Sequence, residues 1–350
     1  MDLIKMLELA TVHKASDLHL MVGQPPILRI DGELVLLSSV ASEFTNQPLT
    51  DENLRAALEK IATPEQQALF LEKKDLDLGY ENSGTRFRVN FSFEKNNLRL
   101  VARVIEETKP TLEEIGMPEI IKDLLNQPQG LILVTGPTGC GKSTTLAAMV
   151  NYINSTRSCH IVTLEDPIEF VFNSDKSLVT QRQLGSDMKS FASGLKHVLR
   201  QDPNVIMVGE MRDYETIAAA VTLAETGHLV LATLHTYNAV QTVDRIIDIF
   251  PPHQQNQIKS QLSMLLTAVI SQRLLPKIGG GRVAARELLI RNSAVANLIR
   301  EGKISQIKSV MQMEGKNGMI TMDKHLKELY KSGLITKEMA ILYADELTMN

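Results

Sequence analysis

The chain has 350 residues, which is enough for two domains that each bury a core. Its net charge of −4 and isoelectric point near 6.1 exclude the general basic field by which proteins bind nucleic acid or an anionic membrane surface. No apolar run approaches the ~18 residues that span a bilayer, and two cysteines, Cys140 and Cys159, exclude a disulfide framework and a four-cysteine zinc site. We therefore expect a cytoplasmic globular protein.

The first hundred residues predict a small α+β domain. The opening segment, MDLIKMLELATVHKASD, has the apolar spacing of an amphipathic helix. From Leu18 to about Ile105, apolar and polar residues alternate in short runs separated by turn signals, which predicts a mainly antiparallel sheet. A helical stretch over 51–73 interrupts the strands. We place the N-terminal domain over residues 1–105.

A segment rich in proline and glutamate follows and predicts a linker or hinge over 106–117. Beyond it, compact apolar strands mostly alternate with helical segments, the signature of a parallel sheet. These strands are LILVT, HIVTLED, NVIMVGE and LVLATLH. From about Asn238 onward helices dominate, with one further strand candidate over 282–290. The second domain is therefore expected to be α/β and to cover 118–350.

A glycine-rich loop, GPTGCGKST, lies between the first of these strands and a helical segment. It matches the pattern G-x-x-x-x-G-K-[ST], in which backbone N–H groups and the start of a helix surround a phosphate. The lysine is expected to reach the β- and γ-phosphates, and the serine to ligate Mg²⁺. The predicted nucleotide-binding residues are Gly136, Pro137, Thr138, Gly139, Cys140, Gly141, Lys142, Ser143 and Thr144.

Two glutamates and a histidine end the neighbouring strands. Glu165, Glu210 and His235 are each placed at a carboxyl end, where parallel sheets bind their ligands. One glutamate is expected to organise Mg²⁺ through water and the other to orient or deprotonate the attacking water, and the two assignments stay open. His235 can hydrogen-bond a γ-phosphate or that water. His228, seven residues earlier, lies roughly 23 Å away along a strand, so one metal ion does not bind both histidines.

Together these four motifs resemble those of the secretion-type ATPases that drive type II secretion and type IV pili. By that resemblance GPTGCGKST is the Walker A loop, IVTLEDPIEF the Asp box, VIMVGEMRD a glutamate-bearing Walker B motif and AETGHLVLATLHT the His box. Residues 15–34 resemble the start of the family's N-terminal domain. The resemblance implies a RecA-like P-loop NTPase domain of α/β class with an N-terminal α+β PAS-like domain. It also implies bound ATP and Mg²⁺, with Ser143 on the metal and Glu210 near it through water.

Within the family the chain resembles the retraction ATPases of type IV pili. We expect it to lack the extra N-terminal domain and the four-cysteine zinc insertion that are usual in extension and secretion motors. Residues 293–303 resemble the retraction group's C-terminal motif, although Ala296 stands where that motif has arginine, and 318–335 resemble its C-terminal helices. A pilus extension or secretion ATPase and an auxiliary retraction paralogue are the alternatives.

The same resemblance implies a homohexameric motor for twitching motility, located in the cytoplasm and peripherally associated with the inner membrane. Its expected partners are the inner-membrane pilus platform protein and, indirectly, pilin; no zinc and no nucleic acid are expected. Arg88 and Arg103 match the family's arginine fingers, for which a planar, permanently charged guanidinium is suited.

Two other classes of function are less favoured by the residues. A nucleic-acid motor would need stacking platforms, and the chain has 4% aromatic residues and no tryptophan. A nucleotide switch that does not hydrolyse ATP would not need Glu165, Glu210 and His235 at the strand ends. Hydrolysis is therefore the expected reaction.

Overall fold

The computed structural model describes residues 2–30, 32–105 and 109–344. The chain divides into two compact units, Met1–Thr108 with Pro167–Val171, and Lys109–Asp166 with Phe172–Asn350. Residues 106–108 of the predicted linker and residues 345–350 of the predicted second domain lie outside the described residues. In the part of the chain that is described, no helix is both long and apolar enough to cross a membrane.

The N-terminal unit is built on an antiparallel sheet of six strands in the order β3-β2-β1-β6-β5-β4. In the fifth strand Phe87, Val89 and Phe91 are buried, and Arg88 between them lies on the other face, as the period of two dictates. The elements are α1 (Leu3–Val12), β1 (Asp17–Met21), β2 (Ile27–Ile30), β3 (Glu33–Leu36), α2 (Leu37–Val40), α3 (Asp51–Ile61), α4 (Pro64–Lys73), β4 (Asp75–Asn82), β5 (Thr85–Glu94) and β6 (Asn97–Ile105).

The stretch predicted as one helix over 51–73 is two helices. The first, α3, ends at Ile61, and α4 begins at Pro64, a residue without an N–H that is favoured in a first helical turn. The Thr63 hydroxyl caps α4 by accepting a hydrogen bond from the Gln66 backbone N at 3.3 Å. The stretch is therefore helical as predicted, with a break at residues 62–63 between the two helices.

The second unit is a seven-stranded sheet against which helices pack, in the order β13-β12-β7-β11-β10-β8-β9. All neighbouring strands are parallel except β12 and β13. The elements are α5 (Ile120–Leu125), β7 (Gly130–Thr135), α6 (Lys142–Thr156), β8 (His160–Glu165), β9 (Leu178–Gln183), α7 (Phe191–Val198), β10 (Val205–Val208), α8 (Tyr214–Glu225), β11 (Leu229–Leu234), α9 (Ala239–Asp248), α10 (Gln255–Leu265), β12 (Leu266–Pro276), β13 (Arg282–Ile290), α11 (Ser293–Glu301), α12 (Ile307–Met313), α13 (Met322–Lys331) and α14 (Lys337–Tyr343).

Three central strands, β7, β10 and β11, bury every one of their residues. A parallel strand covered on both faces needs a continuous apolar run, which is why these segments were recognisable from the sequence. Two strands were missed. The strand β9, LVTQRQ, lies at the sheet edge, and four of its six residues are polar. The strand β12 follows α10 directly, with no turn residue between them. The expectation of helices around 266–276 was therefore wrong.

Candidate nucleotide site

The phosphate loop connects the end of β7 to the start of α6. Gly136 has a φ of +143°, and a Cβ at this position would lie 2.3 Å from the Gln272 carbonyl oxygen, so a larger residue does not fit. Gly141 has a φ of +89° and turns the chain into α6. The glycines of the pattern are therefore explained by the curvature of the loop and by its close approach to β12.

Lys142 is the first residue of α6, and its ammonium lies over the loop. Its Nζ donates to the carbonyl oxygens of Gly136 and Pro137, each at 2.9 Å. Ser143 follows in the same first turn and is exposed. The lysine charge and the positive end of a fifteen-residue helix are thereby brought to one place, the arrangement that binds phosphate.

The predicted acidic residues and histidine lie along the same edge of the sheet. The strand order β7-β11-β10-β8 places the phosphate loop, His235, Glu210 and Glu165 one after another at the carboxyl ends of parallel strands. Neighbouring strands are about 4.8 Å apart, so the four groups occupy a narrow row. The structure thus brings together residues that are up to about a hundred positions apart in the sequence.

Glu165 is buried and held in a fixed orientation. Its Oε1 accepts a hydrogen bond from the Thr163 hydroxyl at 2.6 Å and another from Gln181 Nε2 at 3.0 Å. Thr163 lies two residues earlier on β8 and therefore on the same face, whereas Gln181 comes from β9. A carboxylate oriented in this way is suited to position a small polar molecule such as water.

Glu210 lies two residues beyond the end of β10, with its side chain 21% exposed. Its Oε1 is 2.7 Å from Arg212 Nε, and its Oε2 is 3.6 Å from His235 Nε2. Gly209 makes this turn close to β8, because its backbone N donates to the Leu164 carbonyl oxygen at 2.8 Å. Glu210 and His235 therefore face the same space beside the phosphate loop.

Beside His235 and the phosphate loop lies a cavity of about 650 Å³. Thr138 of the phosphate loop and His235 line it, as do Arg212 and Arg245 with their two guanidinium groups. An anionic group that extends beyond the loop would meet hydrogen-bond donors here. The cavity and the loop together suit a ligand with several linked phosphates.

His228 is separate from this row. It precedes β11 and its Nδ1 lies 3.0 Å from the Leu223 carbonyl oxygen and 3.2 Å from the Thr226 hydroxyl. His235 follows the other end of the same strand. The contacts of His228 therefore stabilise the turn between α8 and β11.

Arg88 and Arg103 are direct cross-strand neighbours in the N-terminal unit, on β5 and β6. The two-residue turn at Lys95 and Asn96 pairs them, which accounts for their spacing of fifteen residues. Each has an acidic partner: Arg88 Nε lies 3.6 Å from an Asp77 carboxylate oxygen, and Arg103 Nε lies 2.9 Å from an Asp17 oxygen. The result is one sheet face with two adjacent guanidinium groups, 38% and 65% exposed.

A family model described as type II/IV secretion system protein matches residues 2–338. The chain belongs to that family. It is 46% identical over 341 residues to the type IV pilus retractation ATPase PilT of Pseudomonas aeruginosa, covering 97% of each chain. It is 40% identical over 347 residues to the type IV pilus ATPase PilU of the same organism, covering 99% of this chain and 89% of that one.

A crystal structure of the pilus retraction motor PilT with bound ADP is similar along the whole length. Its TM-score is 0.91 at 45% identity, with 99% of this chain and 98% of that chain covered. The predicted family and the predicted fold, a RecA-like P-loop domain of α/β class with an N-terminal α+β domain, are thereby confirmed.

Four residues that hold the site in place were not predicted from the sequence. They are Thr163 and Gln181 on Glu165, Arg212 on Glu210, and Gln272 beside the phosphate loop. Thr163 and Arg212 each lie two residues from their glutamate, and that spacing could have identified them. Gln181 and Gln272 lie on the two strands that were not predicted, so the sequence offered no such signal.

Proposed function

We propose that this chain is a motor ATPase that couples hydrolysis of Mg²⁺-bound ATP to retraction of type IV pili, and so to twitching motility. The observation that carries the proposal is the row formed by the phosphate loop, His235, Glu210 and Glu165 along one sheet edge. Support comes from a relative of 46% identity that is named a retraction ATPase, and from a similar motor structure that holds ADP.

Substrate binding rests on the phosphate loop. The N–H groups at the start of α6 and the Lys142 ammonium neutralise the β- and γ-phosphates. Ser143 directly, and Glu210 through water, would hold Mg²⁺, which withdraws charge from the phosphates when bound. A hydroxyl and a carboxylate are the hard oxygen ligands that this ion prefers, so the donor set fits.

Hydrolysis needs a water molecule directed at the γ-phosphorus. We assign this task to Glu165, because two hydrogen bonds fix its carboxylate and its burial keeps it from bulk water. We assign to His235 a hydrogen bond to a γ-phosphate oxygen or a contact with the water. The products are ADP and phosphate, and the proton of the water passes to the carboxylate.

The working assembly is proposed to be a ring of six copies, in which Arg88 and Arg103 complete the nucleotide site of a neighbouring subunit. Two adjacent guanidinium groups that are partly exposed are suited to bind phosphate oxygens. The family resemblance supplies the ring and the direction of donation. The motion is proposed to occur about the predicted hinge in 106–117.

Arg88→Ala is expected to lower ATP turnover by roughly a hundredfold or more, because an arginine finger stabilises charge that develops only in the transition state. The measurement is phosphate release by rings mixed from Arg88→Ala and Lys142→Ala chains. A subunit lacking Arg88 receives that arginine from a Lys142→Ala neighbour, so mixed rings should recover activity that neither variant has alone. Mixed rings that stay inactive at every ratio would contradict action between subunits.

The proposed place of work is the cytoplasmic side of the inner membrane, on the pilus platform protein, with pilin released as a consequence. Deletion of the coding sequence in the host tests this. Surface pili that accumulate while twitching stops support retraction, whereas loss of pili indicates an extension motor.

An auxiliary retraction paralogue is the second candidate. The observation in its favour is Ala296, a buried residue of α11 where the resembled motif has arginine. The same deletion distinguishes it: pili that still retract, but with reduced force, indicate an auxiliary motor. Replacement of the deleted copy by an Ala296→Arg version reports whether this position matters.

A further inference from the structure

We propose that Gln272 and Arg286 form a positioning pair that links the phosphate loop to the linker segment Ile115–Gly116. The inference rests on the proposed nucleotide site and adds to it a physical connection to residues 115–116, which belong to the predicted hinge and lie in the second unit. Both side chains are buried, and each donates to a different backbone segment, Gln272 to the phosphate loop and Arg286 to residues 115–116.

Gln272 holds the phosphate loop from β12. Its Nε2 donates to the Cys140 carbonyl oxygen at 2.7 Å, and its Oε1 accepts from the Thr145 hydroxyl of α6 at 2.9 Å. Its backbone carbonyl is the group that excludes a side chain at Gly136. One residue, 1% exposed, therefore contacts the beginning and the end of the loop as well as the helix behind it.

Arg286 holds the linker from β13. Its Nη1 donates to the Gly116 carbonyl oxygen at 3.0 Å and its Nη2 to the Ile115 carbonyl oxygen at 2.6 Å. Burial lowers the pKa of the guanidinium to about 10, so it remains charged at neutral pH. A buried cation that donates to two backbone carbonyls fixes that backbone in both distance and direction.

The two residues are directly opposite each other in the β12–β13 ladder. Opposite residues of an antiparallel pair lie on the same sheet face with Cβ atoms about 5 Å apart. A separate contact joins α6 to the predicted linker, since Asn151 donates to the Pro110 carbonyl oxygen at 3.4 Å. By the proposal, a shift of the phosphate loop that moves Gln272 is transmitted across the β12–β13 ladder to Arg286, and from there to residues 115–116.

Coupling of this kind is reciprocal: if nucleotide binding orders the linker through the pair, releasing the linker must weaken nucleotide binding. The experiment measures the Kd of Mg²⁺-ADP by titration of the full chain. The variants are Gln272→Met, Arg286→Met and the double variant. Hydrogen exchange of the backbone amides of 111–117 is followed with and without the nucleotide.

Each single variant should raise the Kd by roughly threefold to tenfold, and the double variant should be no weaker than Gln272→Met alone. In the unmodified chain, nucleotide should slow exchange in 111–117, and this response should be lost in both single variants. Thr267→Val is the matched control, because Thr267 is also buried on β12 but lies at the far end, beside Gly130. It should leave the Kd and the linker response unchanged.

If the fold-changes in Kd of the two single variants multiply in the double variant, the two residues do not act as a pair. An Arg286→Met variant with an unchanged Kd would also refute the proposal. Should Arg286→Met fail to fold, Arg286→Lys replaces it, since a lysine keeps the charge without the planar fork that reaches two carbonyls. An unmodified chain that binds no Mg²⁺-ADP would instead refute the proposed nucleotide site, so the two failures are distinct.

Discussion

Replacement of Glu165 by glutamine is expected to lower kcat for ATP hydrolysis by roughly 10²–10⁴-fold while ATP binding is retained. The glutamine has the same shape, and its amide oxygen can still accept from Thr163 and Gln181, so the site keeps its geometry. Only the negative charge that orients the water and accepts its proton is removed. The measurement is steady-state phosphate release together with the Kd of a non-hydrolysable ATP analogue.

Glu210→Gln is the matched comparison, because it makes the same chemical change on the neighbouring strand. A carboxylate that acts on Mg²⁺ through water is expected to contribute about 10–100-fold in metal affinity or activity. The loss of turnover in Glu210→Gln should therefore diminish as the Mg²⁺ concentration is raised, whereas that in Glu165→Gln should not. If the Mg²⁺ dependence is found in Glu165→Gln instead, the two roles are reversed.

The parts of this site that follow from local geometry were predictable from the sequence. A loop that curls around phosphate requires glycine at fixed positions, and central strands require unbroken apolar runs, so the phosphate loop and the positions of Glu165, Glu210 and His235 at strand ends could be read directly. The pairing of Arg88 with Arg103 was not predicted, because the two residues were named only for their resemblance to arginine fingers; the β5–β6 hairpin places them opposite each other.

The residues that hold the site in place follow from tertiary contacts and were not predictable in the same way. The hydrogen bond from Gln272 to the Cys140 carbonyl joins residues 132 positions apart. The residue pattern of neither segment indicates this contact. The strand β12 begins directly where a helix ends, with no turn residue between them, so the strand itself was not predicted. Gln181 was not predicted for a different reason, since its mainly polar edge strand lacks the apolar run of a central strand.

Replacement of Lys142 by alanine is expected to weaken binding of Mg²⁺-ATP by about a hundredfold, because a charge-assisted hydrogen bond contributes ~1.5–3 kcal/mol and tenfold in Kd is about 1.4 kcal/mol. The ammonium is already held over the loop by the carbonyls of Gly136 and Pro137, so it needs little rearrangement to reach a phosphate. Lys196→Ala is the control, since it removes the same charge from an exposed position on α7.

The measurement is the Kd of ATP and of ADP for both variants at two salt concentrations. Loss of affinity in Lys142→Ala should be larger for ATP than for ADP, because the lysine is assigned to the γ-phosphate as well as the β-phosphate. The affinity lost should also depend only weakly on salt, since a partly buried contact is screened less than a surface charge. Equal and small losses in the two lysine variants would mean that Lys142 acts as a surface charge, and the phosphate loop would then not be the nucleotide site.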